Sequence, residues 1–159
     1  MKTIEEWLAE YSVSHQNPTN KLVHWICVPI IFFTVVGLLY SIPNPFVEVT
    51  PDNSIWAQGI FAKVALILVT TYYAVLSPKL AVGMLIYVLL CLFICQSIQS
   101  AGLNLAVVSI VLFVLAWIGQ FWGHSVEGKK PSFLKDLQFL MIGPAWIMSA
   151  LYKNFGISL

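Results

Sequence analysis

Apolar residues form five long runs that are separated by short polar segments. These runs cover residues 22–40, 57–76, 80–98, 103–122 and 137–152. A helix needs roughly 20 apolar residues to cross the hydrocarbon core of a bilayer, and the first four runs approach that length. The fifth run is shorter and is broken by Gly143 and Pro144, so crossing, re-entry and a surface position all stay open for it.

The polar segment before the first run has a helical pattern of its own. Residues 3–12 form a predicted helix that starts with the capping-box pair Thr3 and Glu6. An apolar stripe recurs there at helical spacing, formed by Ile4, Trp7, Leu8 and Tyr11. Aromatic residues on such a face suit the border between lipid and water. We therefore predict an all-α polytopic membrane bundle of four to five transmembrane helices with an N-terminal interfacial amphipathic helix, as a single domain over residues 1–159.

The composition supports a membrane protein. Of the 159 residues, 59% are hydrophobic and only 9% are charged, whereas about a quarter of a soluble domain is charged. Every basic residue is a lysine and no basic stripe is present, which argues against a nucleic-acid partner. Cys27, Cys91 and Cys95 lie inside apolar runs, and we expect them to be small buried hydrophobic residues.

Counting the spans places all three histidines on one side of the membrane. Four crossings return the chain to its first side, so His15 and His24 share a side with His124. The opposite loops carry Glu48 and Asp52, and Lys63 lies just inside the second run on that side. The histidine side has most of the lysines, namely Lys2, Lys21, Lys79, Lys129, Lys130 and Lys135. By the positive-inside rule we expect the histidine side to be cytoplasmic, in a bacterial inner membrane or the endoplasmic reticulum membrane.

The three histidines form a candidate metal site. Pro18 separates His15 from His24, so we predict that His15 lies on a loop before the helix that carries His24. If the fourth transmembrane helix continues for one more turn, His124 and Glu127 lie on one of its faces. Imidazole ligands suit iron, zinc, copper and nickel. Three such ligands leave coordination positions open, as catalytic metal sites require.

Polar residues near the histidines have several candidate roles. Glu127 is a fourth ligand, an acceptor that fixes a histidine tautomer, or an ion-pair partner of a nearby lysine, and we prefer the second role. Asn17 and Asn20 are turn and cap formers that favour folding of the loop over the helix N-terminus. Asn20, Lys129 and Lys130 are also candidate substrate contacts, although both lysines fit the positive-inside pattern equally well.

Several enzyme classes do not fit this sequence. Membrane hydroxylases and desaturases with two irons need many more histidines, and the sequence has no GxSxG or HExxH motif. No charged residue lies in the middle of a predicted span, which argues against a proton-coupled transporter. Two alternatives stay open: a zinc-dependent membrane lipid hydrolase with Glu127 as general base, and a non-catalytic haem-binding or structural membrane protein.

Two spaced motifs resemble the 2-hydroxy fatty acid dioxygenase family. The motifs are Tyr11-x3-His15-x4-Asn20-x3-His24-x4-Pro29 and Gln120-x2-Gly123-His124-x2-Glu127, the second followed by Pro131. The resemblance covers nearly the whole chain and is least clear over residues 137–159.

The resemblance implies an Fe(II)-dependent enzyme of fatty acid α-oxidation that acts in the breakdown of the sphingoid base phytosphingosine. A long-chain 2-hydroxy fatty acid and O2 would give a fatty acid one carbon shorter. The family's essential histidines correspond to His15, His24 and His124, while Glu127 is a further catalytic candidate from its spacing. A 2-hydroxy acid can chelate a metal through its carboxylate and hydroxyl, and a site at the membrane border suits a substrate with an acyl tail.

Overall fold

The computed structural model describes residues 3–46, 57–128 and 141–157, and within these ranges the chain is helical with no strand. The helices are α1 Ile4–Val13, α2 Pro18–Tyr40, α3 Ile60–Leu76, α4 Pro78–Ser100, α5 Leu105–Glu127 and α6 Ile142–Asn154. The all-α prediction is confirmed. Each predicted segment contains a helix whose ends differ by a few residues from the apolar run, and residues 137–140 of the fifth run lie outside the described ranges.

Capping residues explain where the helices begin and end. Both α2 and α4 begin with proline, after the N-caps Asn17 and Ser77. Proline is tolerated at this position because the first N–H groups of a helix have no partner within it. In α1 the predicted capping box is present, with Thr3 Oγ1 3.3 Å from the Glu6 N–H and Glu6 Oε2 2.8 Å from the Thr3 N–H. As predicted, α5 continues past its apolar run and ends at Gly128, where φ is 71°.

Helices α2 and α5 pack as a close antiparallel pair. Glycines allow this approach at both ends of the pair. A Cβ on Gly37 of α2 would collide with Ser109 of α5, and a Cβ on Gly123 of α5 would lie 2.6 Å from Asn20 Oδ1 of α2. Small residues at helix contacts are typical of membrane bundles. The antiparallel arrangement brings the N-terminal end of α2 to the C-terminal end of α5.

An apolar core fills the opposite end of this pair. Four helices contribute to it, through Phe32, Phe33, Val36, Tyr40, Ala62, Leu66, Val88, Cys91, Cys95 and Leu105. Between the two ends, Cys27 packs against α5 where Gly119 has no side chain. The prediction that the three cysteines are buried is confirmed, and none of them forms a disulfide.

Helices α1 and α6 cover the histidine end of the bundle. The apolar stripe of α1 packs on protein, since Ile4 and Leu8 join a cluster with residues of α3, α4 and α6. Gly143 and Pro144, which are predicted to break the fifth run, lie in the first turn of α6, and residues 137–140 before this turn lie outside the described ranges. A proline there removes no helical hydrogen bond.

Three helices within the described ranges are long and apolar enough to cross a membrane: α2, α4 and α5, with 23 residues each. Helix α3 is apolar but has 17 residues, about 26 Å at 1.5 Å per residue. Helix α6, with 13 residues, reaches about 20 Å, less than the roughly 30 Å of a bilayer core. Large apolar side chains such as Ile86, Phe93, Leu115 and Ile118 are exposed on the bundle. So extensive an apolar surface is typical of lipid contact, and the chain is a membrane protein.

Three of the four lysines within the described ranges were part of the prediction, and they lie at the predicted ends of the bundle. Lys21 and Lys79 lie in the first turns of α2 and α4, at the histidine end, whereas Lys63 lies near the start of α3 at the other end. The other residues used for the prediction lie outside the described ranges, namely Lys2, Lys129, Lys130, Lys135, Glu48 and Asp52. The cytoplasmic position of the histidines therefore stays a prediction.

Candidate metal centre

Three histidine side chains meet at one end of the bundle, as the span count predicted. His15 lies in the link between α1 and α2, His24 in the second turn of α2, and His124 in the last turn of α5. One ring nitrogen from each histidine lies within 4.8 Å of the other two. The ring centroid of His24 lies 4.2 Å from that of His15 and 5.0 Å from that of His124, and the centroids of His15 and His124 are 5.9 Å apart. The side chains are only 3%, 2% and 7% exposed, so this is an internal cluster of metal-ligand type.

Backbone carbonyls orient two of the three imidazole rings. His15 Nδ1 lies 2.6 Å from the Tyr11 carbonyl oxygen, and His24 Nδ1 lies 2.9 Å from the Asn20 carbonyl oxygen. A carbonyl can only accept a hydrogen bond, so Nδ1 carries a proton in both rings, and in the neutral imidazole Nε2 carries the lone pair. Histidines that bind metals are commonly held in this way through their second nitrogen. Nε2 is therefore the nitrogen through which these two histidines would bind a metal.

Glu127 follows His124 by three residues and holds the link between α1 and α2. Its Oε1 accepts from the Gln16 N–H at 2.9 Å. Its Oε2 accepts from the Asn17 N–H at 2.9 Å and from Asn20 Nδ2 at 3.0 Å. Among the described residues, the cluster of ligand atoms consists of the histidines and does not include Glu127. These contacts favour a role in holding the link over a role as fourth ligand.

Asn20 connects Glu127 to His24. Its side chain is fully buried, and Nδ2 donates to Glu127 and also to the Ser14 carbonyl oxygen at 3.3 Å. The backbone carbonyl oxygen of Asn20 accepts a hydrogen bond from His24 Nδ1. Because Nδ2 of the amide is engaged inside the protein, the geometry favours a supporting role over the predicted substrate contact. Lys129 and Lys130, the other predicted substrate contacts, lie outside the described ranges.

Two aromatic rings cover His15. The sequence pattern indicates Tyr11 only as part of the apolar stripe and the family motif, and it does not indicate Trp146 as part of the site. Tyr11 stacks on His15 with a centroid distance of 4.2 Å and an interplanar angle of 13°. Trp146 of α6 lies 5.7 Å from His15, and its Nε1 donates to Ser12 Oγ at 2.9 Å. A Cβ on Gly143 would lie 3.2 Å from the Tyr11 hydroxyl, so this glycine lets α6 approach. The rings of Tyr11 and Trp146 form an aromatic wall beside His15. The sequence signal for this wall is Gly143, a small residue three positions before Trp146.

Comparison with known proteins agrees with the motifs. A family model described as 2-hydroxy-palmitic acid dioxygenase Mpo1-like matches residues 1–155, which include α6. A relative from Saccharomyces cerevisiae named 2-hydroxy-palmitic acid dioxygenase MPO1 is 31% identical over 153 residues, covering 89% of this chain and 75% of the relative. No solved structure gives a significant match. The predicted resemblance is thereby confirmed, and the chain belongs to the Mpo1-like family.

Proposed function

We propose that this protein is an Fe(II)-dependent dioxygenase that converts long-chain 2-hydroxy fatty acids into fatty acids one carbon shorter. The observation that carries the proposal is the buried cluster of three histidines, whose ligand atoms lie within 4.8 Å of one another. The yeast relative is named for an activity on 2-hydroxy-palmitic acid, which supports this substrate class. The breakdown of phytosphingosine, which generates such acids, is the proposed setting.

The donor set fits Fe(II). Imidazole nitrogen is a suitable ligand for this ion, and His15 and His24 present Nε2 while their Nδ1 atoms bond to carbonyls. His124 completes a set of three, and three ligands would leave other coordination positions open. Bound there, Fe(II) would supply the coordination positions and the redox chemistry for the substrate carboxylate, its hydroxyl and O2.

The proposed reaction balances without a further reductant. One 2-hydroxy acid and one O2 give the shorter acid, CO2 and water. The bond between C1 and C2 breaks, C2 becomes the new carboxyl carbon, and C1 leaves as CO2. The substrate gives up the four electrons that the two oxygen atoms gain. A 2-oxo-acid cosubstrate is therefore not part of the proposal.

The residues around the cluster have defined tasks in this proposal. The carbonyl oxygens of Tyr11 and Asn20 keep their histidines in one tautomer, and the rings of Tyr11 and Trp146 shield His15 from water. The cluster lies at the end of two membrane-length helices, where a polar head meets water and an acyl tail meets lipid. Phe121 and Trp122, both exposed on α5 close to His124, are proposed to line the path of the tail.

Metal content and oxygen uptake together test this function. Protein purified without air should contain a single iron per chain and should consume O2 when 2-hydroxypalmitate is added, with release of the acid one carbon shorter. Palmitate, which lacks the hydroxyl, is the matched control and should cause no uptake. Bound zinc with product release that needs no O2 would instead indicate a lipid hydrolase, and a Soret band would indicate a haem protein. Absence of any bound metal would contradict the proposal.

A further inference from the structure

Glu127 and Asn20 form a polar bridge between the end of α5 and the start of α2. We propose that this bridge positions all three metal-binding histidines, with Glu127 and Asn20 as positioning residues that do not themselves bind the metal. The inference rests on the proposed function, because it assumes that the histidines hold a metal.

The position of Glu127 is explained by α2 and not by its own helix. A carboxylate in the last turn of α5 is disfavoured by the partial negative charge at that helix end. The N-terminus of α2 carries the opposite partial charge, and the N-cap Asn17 donates its N–H to Glu127. Gln16 donates a second N–H to the same carboxylate. The carboxylate therefore accepts charge-assisted hydrogen bonds from a different part of the chain.

The bridge reaches each histidine within a few bonds. Gln16 directly follows His15, so its hydrogen bond to Glu127 fixes the peptide unit that joins the two residues. Asn20 holds His24 Nδ1 through its carbonyl oxygen while its amide donates to Glu127. His124 lies on the same helical turn as Glu127. One carboxylate is thus tied to all three ligands.

Asn20 is closely packed against α5 in this arrangement. Its side chain is fully buried, and a Cβ on Gly123 would lie 2.6 Å from its Oδ1, which shows how closely the amide approaches the α5 backbone. A buried amide that loses its hydrogen-bond partner is costly. Loss of the Glu127 acceptor should therefore displace Asn20, and with it the carbonyl oxygen that holds His24.

The experiment compares Glu127→Gln and Asn20→Ala in the full chain, titrated with Co(II) as the probe. Partners that orient metal ligands typically contribute about 10- to 100-fold to metal affinity, and we expect both variants to lose affinity in this range. The absorption spectrum of bound Co(II) at saturation should also change, because the histidines are displaced. The double variant should lose less than the product of the two single losses, since both residues belong to one bridge.

Matched controls separate positioning from general stability. Glu5→Gln changes an exposed glutamate in the first turn of α1. Asn104→Ala removes the N-cap of α5 at the opposite end of the bundle. Both controls should bind Co(II) like the parent with an unchanged spectrum. Hydrogen exchange of residues 14–20 in metal-free protein gives a second measure, which should rise in Glu127→Gln and not in Glu5→Gln.

The outcomes distinguish this inference from the proposed function. Parent protein that binds Co(II), with both bridge variants weakened and spectrally altered, supports the bridge. If parent and bridge variants bind equally and exchange equally, the bridge is wrong while the metal site stands. If the parent binds neither iron nor Co(II), the proposed function is wrong and the bridge falls with it. A Glu127→Gln chain that does not fold is replaced by Glu127→Asp, which keeps the charge but shortens the reach and should also weaken binding.

Discussion

At one end of the α2–α5 pair several of the buried side chains between the helices are polar, whereas at the other end they are mainly apolar. Asn20, His24 and His124 occupy the first end, and Tyr40 and Leu105 belong to the core at the second. The same close approach of small residues occurs at both ends, at Gly123 and at Gly37.

The difference shows which end stabilises the pair and which end serves the site. Apolar packing at the far end requires no specific partners. Buried polar groups are costly unless they are hydrogen-bonded, and ionisable residues inside membrane proteins generally mark functional sites. Thr34 at the apolar end bonds back to the Ile31 carbonyl of its own helix, whereas Glu127 at the histidine end bonds to residues more than 100 positions away. The long-range polar bonds are therefore concentrated where the chemistry is proposed.

The largest expected effect comes from removing one ligand. Removing a group that orients a metal ligand costs up to about 100-fold in metal affinity. His124→Ala removes a ligand itself, so its metal affinity should fall by more than this, and substrate-dependent O2 uptake should disappear. Ser109→Ala, a buried polar residue on the same helix at the apolar end, is the matched control and should keep both. Iron content by mass spectrometry and O2 uptake are the measurements. Full iron content in His124→Ala would remove this histidine from the site.

The same substitution at the two glycines tests the comparison directly. In Gly123→Ala the new methyl group meets the Asn20 amide and Val23, and in Gly37→Ala it meets Ser109. Overpacking typically costs about 1–3 kcal/mol, so both variants should unfold at lower temperature. Only Gly123→Ala should also weaken metal binding, because it displaces the residue that holds His24. Equal metal affinities in the two variants would show that close packing at Gly123 supports the metal site no more than close packing at Gly37.

The smallest expected effect concerns the aromatic wall. Trp146→Phe keeps a ring beside His15 but loses the hydrogen bond to Ser12 Oγ. A single hydrogen bond contributes about 1 kcal/mol, so metal affinity should fall by less than about tenfold. Phe93→Leu is the control, since Phe93 is exposed on α4 towards the apolar end of the bundle and its loss should leave metal affinity unchanged. Metal affinity measured by Co(II) titration checks the difference, and identical values would assign Trp146 no part in holding the site.

The sequence predicted much of the fold because the length of each apolar run can be measured along the sequence without any knowledge of packing. A run of about 20 apolar residues is long enough to cross the bilayer core as a helix, and each crossing reverses the chain direction. This alone grouped His15 and His24 with His124 before any packing was known. The helix end at Gly128 and the capping box at Thr3 were also predictable, since both depend on residues a few positions apart.

The contacts that complete the site depended on tertiary structure. The hydrogen bonds from Glu127 to Gln16, Asn17 and Asn20 join segments far apart in sequence. Their existence depends on how α2 and α5 are rotated about their axes, which small residues such as Gly123 decide across the interface. Trp146 reaches His15 for a similar reason, because Gly143 lets α6 approach Tyr11. Periodicity and span counting assign residues to an end of the bundle, but helix rotation and close packing decide which side chains touch.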